Sequence, residues 1–210
     1  MNFFDADFLV GDGPKPSRFP TGTVGEVLAQ MDHFGIQRSL FRSAAHAWSI
    51  PDGNRLAASF APGEARLVPA WFLVPHHAGE FPSPEELPGA MKRAGVGALV
   101  CDPALPFSTR RTFCGDLFAV CEERRIPILM PAPDYPGYEK CDQVLCEFPK
   151  LTLVALNGHS WGLARYTWPL LERFPSFHLA LGPCRVSGEV QETVKRFGAR
   201  RLCFSTGAPR

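Results

Sequence analysis

The sequence predicts a (β/α)8 barrel of the TIM-barrel type, built on eight parallel strands, and three observations predict it. Short apolar, β-rich runs alternate with longer segments of helical period along all 210 residues, the pattern of βα units that feed a parallel sheet. The runs number eight, the count that closes a barrel of parallel strands. The glycine-rich phosphate loop that follows the first strand of an open doubly wound sheet has no counterpart, because Gly11-Asp12-Gly13-Pro14 does not match it.

Each element follows from its residues. The first strand reads from Phe3 to Val10, and a Gly/Pro-rich loop covers Gly11 to Gly22. Thr23 then caps a helix: Val24, Val27, Leu28 and Met31 repeat at helical spacing, and Glu26 stands three residues after Thr23, as a capping box requires. Gly35 ends that helix, and Ile36 to Phe41 forms the second strand. A weaker helix spans about Asp52 to Phe60, followed by a third strand from Leu67 to Val74. Ser83-Pro84-Glu85-Glu86 opens the next helix with a capping serine, proline at the first helical position and acids in the first turn; Gly95 closes it.

The alternation continues to the C-terminus. The fourth strand is Gly97 to Cys101, and Phe113 to Arg124 is a helix with Leu117, Phe118, Val120 and Cys121 on its inner face. Ile126 to Met130 is strand five, Tyr138 to Phe148 a helix, and Leu151 to Leu156 strand six. A helix from about Leu163 to Phe174, strand seven from Phe177 to Leu181, a helix from Gly188 to Phe197 and strand eight from Arg201 to Thr206 complete the series. The expectation is a single domain over residues 1–210 with seven helices and the final helix missing. That is short for a fold that typically takes about 250 residues.

Composition narrows the function classes. Apolar residues make up 45% and charged residues 20%, and the formal net charge is +1. Such a chain has no global electrostatic reason to bind nucleic acid or an anionic membrane. No run approaches the ~20 apolar residues of a membrane helix. The N-terminal apolar run carries Asp5 and Asp7 and lacks the basic flank of a signal peptide. Seven cysteines, none in a CxxC pair, read as reduced core thiols of a cytoplasmic protein.

Barrel enzymes place their chemistry at the C-terminal strand ends and in the loops that follow. Strand one offers Asp5 and Asp7, on one face at period two. Strand two ends toward His46 and strand three at Pro75-His76-His77. Strand four ends at Cys101-Asp102 and strand five runs into Pro131-Ala132-Pro133-Asp134. Strand six ends at Asn157-Gly158-His159 and strand eight at Ser205-Thr206-Gly207. Asp5, Asp7, His46, His76 and His159 are the candidate site residues. Three or four such donors can in principle hold zinc. Equally, the Pro75-led histidines can be solvated, Asp5 can cap backbone donors and His159 can pack beside Trp161.

These strand ends also carry a resemblance. Phe4-Asp5-Ala6-Asp7-Phe8-Leu9-Val10-Gly11 resembles the first strand of the amidohydrolase-related family, an apolar pair followed by Asp-Ala-His-x-His and a glycine. Met31-Asp32-His33-Phe34-Gly35-Ile36, Arg66-Leu67-Val68-Pro69-Ala70 and Arg93-Ala94-Gly95-Val96-Gly97-Ala98 resemble its entries to strands two, three and four. Arg125-Ile126-Pro127-Ile128-Leu129 is similar to its strand five, and Phe197 to Pro209 resembles its strand eight, "FGAxRLLFGSDxP". The resemblance implies a metal-dependent barrel for hydrolysis or non-oxidative decarboxylation. Its metal, usually zinc, is held by two first-strand histidines, histidines ending strands five and six, and an aspartate ending strand eight. That aspartate also serves as general base.

Position by position, this chain departs from that ligand set. The second histidine of the first strand falls at Asp7 or Phe8, the strand-five ligand at Met130 or Pro131, and the strand-six ligand at Leu156 or Asn157. The strand-eight aspartate is Gly207, with Thr206, Ala208 and Pro209 keeping the motif in frame. Glycine can be neither ligand nor base. The sequence therefore predicts a catalytically reduced barrel without a cofactor, either a pseudoenzyme or a small-molecule binder. Two alternatives stand beside it. One is a metal-dependent hydrolase or decarboxylase with a rebuilt, zinc-holding site at the barrel mouth. The other is an interaction protein using the uncovered seam between strands one and eight, where homo-oligomers would form.

Overall fold

The computed structural model describes residues 3–11, 20–132, 135–157, 164–182 and 188–208. Over those residues strands and helices alternate strictly: β1 (Phe3–Val10), α1 (Val24–Phe34), β2 (Ile36–Ser43), α2 (Ile50–Phe60), β3 (Leu67–Phe72), α3 (Leu87–Ala94), β4 (Ala98–Val100), α4 (Arg111–Arg124), β5 (Ile128–Ala132), α5 (Tyr135–Glu147), β6 (Leu153–Asn157), α6 (Ala164–Arg173), β7 (Phe177–Leu181), α7 (Glu189–Phe197) and β8 (Leu202–Phe204). Hydrogen-bonded neighbours follow chain order from β1 to β8, and the ladders β1–β2, β2–β3, β5–β6 and β6–β7 are parallel. This is the predicted (β/α)8 alternation. The chain divides into two compact units, one running up to Leu99 and taking in the segment from Phe204, the other from Val100 to Cys203.

In the first unit the capping box forms as its residues require. The Glu26 N–H donates to Thr23 Oγ1 at 3.3 Å, and the Thr23 N–H donates to a Glu26 carboxylate oxygen at 2.9 Å. Val27 and Met31 of α1 are buried against Phe8, Val10, Ile36 and Phe41 of the first two strands. β1 and β2 slip register between Asp5 and Phe8, a bulge at the stretch that carries both aspartates. Residues beyond β8 return to β1: Ala208 bridges Phe8, and the Leu9 N–H donates to the Ala208 carbonyl at 2.7 Å.

Several boundaries differ from the sequence expectation, each for a local reason. β2 runs two residues further, to Ser43, whose side chain caps a short 3-10 turn over Ala44–Ala47. α2 starts at Ile50, two residues before the expected Asp52, with Ser49 as its cap. β3 stops at Phe72, and a second 3-10 turn spans His76–Ala78. Ser83 and Glu86 exchange the expected cap bonds, at 3.3 and 3.4 Å, yet the regular helix starts only at Leu87.

The second unit buries Leu117, Phe118, Ile128, Met130, Leu153 and Phe177. Here β5 begins at Ile128 rather than Ile126, because Arg125 closes α4 in the left-handed conformation at φ +56° and the Ile126 N–H still bonds back to Cys121. A 3-10 turn over Ala199–Arg201 shortens β8, and the Arg201 guanidinium donates to the Phe174 and Phe177 carbonyls at 2.6 to 2.8 Å. No helix among the described residues is long and apolar enough to cross a membrane.

Candidate functional site

In the first unit the middle of β1 and the ends of β2 and β3 bring a polar cluster together. Asp5 is fully buried. Its Oδ1 accepts the N–H of Thr206 at 3.0 Å and of Asp7 at 3.1 Å, and its Oδ2 accepts the Thr206 hydroxyl. Burial pushes the Asp5 carboxyl above its ordinary 3.8; the Thr206 and Asp7 hydrogen bonds oppose the rise and the charge of Asp7 adds to it. Thr206 Oγ1 also accepts the Ala208 N–H at 3.1 Å, so Asp5 anchors the segment that returns to β1.

Asp7, only 4% exposed, accepts the Nε–H of Arg42 at 2.8 Å, and the Arg42 side chain is 12% exposed. The guanidinium carbon lies 5.7 Å from the centroid of the Phe72 ring, a distance for cation–π attraction. The His46 ring stacks on the same phenyl, with centroids 3.9 Å apart and planes 15° from parallel. Its Nδ1 lies 2.8 Å from the Ser43 carbonyl, which can only accept, so Nδ1 carries the hydrogen.

Phe72 is itself held in place. Asn54 of α2 donates to the Phe72 carbonyl at 2.9 Å and accepts the Phe72 N–H at 2.7 Å. The preceding residue must be glycine: a Cβ on Gly53 would lie 2.7 Å from the His46 backbone nitrogen and 2.8 Å from its Cα. α2 thus docks directly on the turn that carries His46.

Of the predicted site residues, Asp5 and Asp7 meet at β1, and His46 joins Asp7 through the Phe72–Arg42 stack. His76 lies instead beside His77, ring centroids 4.1 Å apart. Its buried Nδ1 has no hydrogen-bond partner among the described residues. His159 lies outside the described residues. Cys101 is fully buried, and burial pushes its thiol well above the ordinary cysteine range, the opposite of an activated nucleophile. Sequence reasoning missed Arg42 and Phe72. Ending strand two at Phe41 hid Arg42, which the next residue would have placed among the strand ends where barrel sites lie.

These donors do not fit the zinc ion that the family resemblance implies. Asp5 is saturated by three donors, Asp7 carries a guanidinium, and Gly207, at φ +60°, has no side chain to offer. In the second unit, Met130 is fully buried and Leu156 nearly so, and neither is a zinc ligand. Among the described residues no group of three or more His, Cys, Asp or Glu side chains is arranged to hold a metal ion.

No family model and no curated protein matches the sequence. Solved structures do. A TIM-barrel protein of unassigned role from Bordetella bronchiseptica superposes with a TM-score of 0.70 at 19% identity, over 100% of this chain and 86% of the other. An amidohydrolase 2 from Bifidobacterium longum subsp. infantis gives 0.71 at 13% identity, over 100% and 85%. A putative 2-pyrone-4,6-dicarboxylic acid hydrolase from Pseudomonas putida gives 0.71 at 15% identity, over 99% and 82%. The chain thus has the TIM-barrel fold that these structures share.

Proposed function

We propose that this chain is an amidohydrolase-fold barrel that binds a small molecule and does not run metal-dependent hydrolysis. The observation that carries this reading is the Asp7–Arg42 ion pair, 2.8 Å long and almost wholly buried. A carboxylate ligates a metal through a lone pair facing an open coordination site. Here that carboxylate faces a permanent cation, which a divalent ion would have to displace against its own charge. Asp5, shut away from solvent and bonded to Thr206, is equally poorly disposed to activate water as a general base. Arg42 and His46, both partly exposed over the buried Phe72 ring, remain as the surface that a ligand here would meet.

Metal analysis tests the reading. Protein purified without chelator should carry well under one equivalent of zinc, manganese or iron, and added zinc should leave its melting temperature unchanged. A stoichiometric, tightly held ion would overturn the proposal and favour a rebuilt hydrolytic site.

A further inference from the structure

The segment after β8 is fastened to β1 at two places. At one, Ala208 bridges Phe8 and the Leu9 N–H donates to the Ala208 carbonyl at 2.7 Å. At the other, the Asp5 carboxyl takes up Thr206: Oδ1 accepts the Thr206 N–H at 3.0 Å and Oδ2 pairs with the Thr206 hydroxyl. Thr206 Oγ1 also accepts the Ala208 N–H at 3.1 Å. Among the described residues these two attachments carry the hydrogen bonds between residues 205–208 and β1. Release of the segment leaves the edge of β1 at Phe8 and Leu9 unpaired, and an open strand edge is where another chain can pair.

The Asp5–Thr206 link can form in either charge state. An ionised Asp5 accepts the Thr206 O–H, whereas a protonated Asp5 donates its own O–H to Thr206 Oγ1. What differs is the charge, which is fully buried. On β1, Asp7 adds a second negative charge two residues on, itself paired with Arg42 of β2 at 2.8 Å. Asp5 stands opposite Ser39 across the β1–β2 ladder, and the returning segment presents Thr206; both are uncharged. A buried carboxylate without a cation beside it favours the protonated form, and burial does raise the Asp5 carboxyl above 3.8.

We propose that residues 205–208 form a strap that opens locally from β1, and that Asp5 is its latch, closed while it holds a proton and loosened once it is ionised. The proposal concerns the seam of the sheet and goes beyond the ligand surface at Arg42 and His46.

The sign follows from linkage. Opening places Asp5 in water, where it titrates near 3.8, while the closed strap keeps the proton to a higher pH. Between those two values opening releases a proton, so the open fraction grows by up to about 10-fold per pH unit and then levels off.

Amide hydrogen exchange of the full chain, corrected for the intrinsic rate at each pH, reads the opening. The Leu9 amide should lose protection along that slope from pH 3.8 upward. The Gly97 amide, which donates to Pro69 in the same unit, should not follow it. Asp5→Asn, whose amide oxygen accepts the two N–H groups and whose N–H replaces the acid proton, should hold Leu9 protection flat with pH. Thr206→Val keeps the N–H and removes the hydroxyl, so it should lower Leu9 protection about 10-fold, the worth of one hydrogen bond. Circular dichroism confirms the fold of both variants. A pH-independent Leu9 in the parent, a parallel slope in Asp5→Asn, full protection in Thr206→Val, or a Gly97 amide that moves in step with Leu9 would each overturn the proposal.

Discussion

Replacing Arg42 by Met probes the ion pair on which the functional reading rests. The Met side chain keeps an unbranched stem against Phe72 but removes the partner of Asp7, whose side chain is only 4% exposed. Removing one member of a buried pair leaves an uncompensated charge and costs roughly 3–5 kcal/mol. For a chain of this length each kcal/mol moves the melting temperature by about 2–4 °C, so the loss should be roughly 6–20 °C. The double variant Asp7→Leu/Arg42→Met removes both charges and should recover most of that loss, to within about 1–2 kcal/mol of the parent. Urea unfolding of the parent, both single variants and the double variant closes the cycle. A coupling below about 0.5 kcal/mol, or an Arg42→Met variant as stable as the parent, would show that the pair is a surface-like contact and that Asp7 is available for other chemistry.

The remaining predictions concern Asp5, two glycines and one strand edge. Because burial raises the Asp5 carboxyl in the folded state, the folded chain holds a proton that the unfolded chain releases above 3.8. Its contribution to stability is therefore fully present at low pH and is lost as pH rises through the raised folded value. Asp5→Asn, whose amide oxygen can still accept the Thr206 and Asp7 N–H groups, should flatten the dependence of the urea midpoint on pH across that window, and parallel curves would refute the assignment. Gly53→Ala should destabilise by about 1–3 kcal/mol through its 2.7–2.8 Å overlap with the His46 backbone, and an unchanged denaturation midpoint would mean that α2 shifts freely. Gly207→Asp restores one carboxylate without the other ligands, so it should create neither zinc affinity in a chelator competition nor metal-dependent hydrolysis. Phe4 and Phe204 are each 42% exposed, and Phe204 contacts Phe3 with ring centroids 5.2 Å apart. If this edge drives self-association, Phe4→Lys with Phe204→Lys should lower the sedimentation mass, whereas an unchanged mass would clear it.

The fold was legible because it is written in short-range chemistry. Thr23 with Glu26 marks the start of α1, Gly35 and Gly95 end α1 and α3 in the left-handed conformation, and the apolar runs recur at the spacing of βα units. Boundaries were misread where a tertiary contact overrides the local pattern. β3 stops at Phe72, where the Asn54 side chain caps its backbone from 18 residues away, and β8 is trimmed by a turn whose Arg201 reaches back to Phe174 and Phe177. No window of sequence contains both ends of such a bond.

The site was legible by position and not by partner. Strand-end logic named Asp5, Asp7 and His46, which lie together in the first unit, but it read them as lone donors. What each donor does is decided by residues far away in the chain: Thr206 is 201 positions from Asp5, and Arg42 is 35 from Asp7. The two arrangements are physically connected. A carboxylate buried within β1 is tolerable only beside a positive charge or with a proton. Among the described residues no group of three or more His, Cys, Asp or Glu side chains is arranged to hold a metal ion beside the two aspartates. Arg42 supplies the charge for Asp7, while Asp5, with no cation of its own among its described contacts, is left with the raised affinity for a proton that burial imposes. The same two aspartates thus divide between an internal ion pair and a buried proton site, a division that the pH dependence of Asp5→Asn and the cycle through Arg42 measure separately.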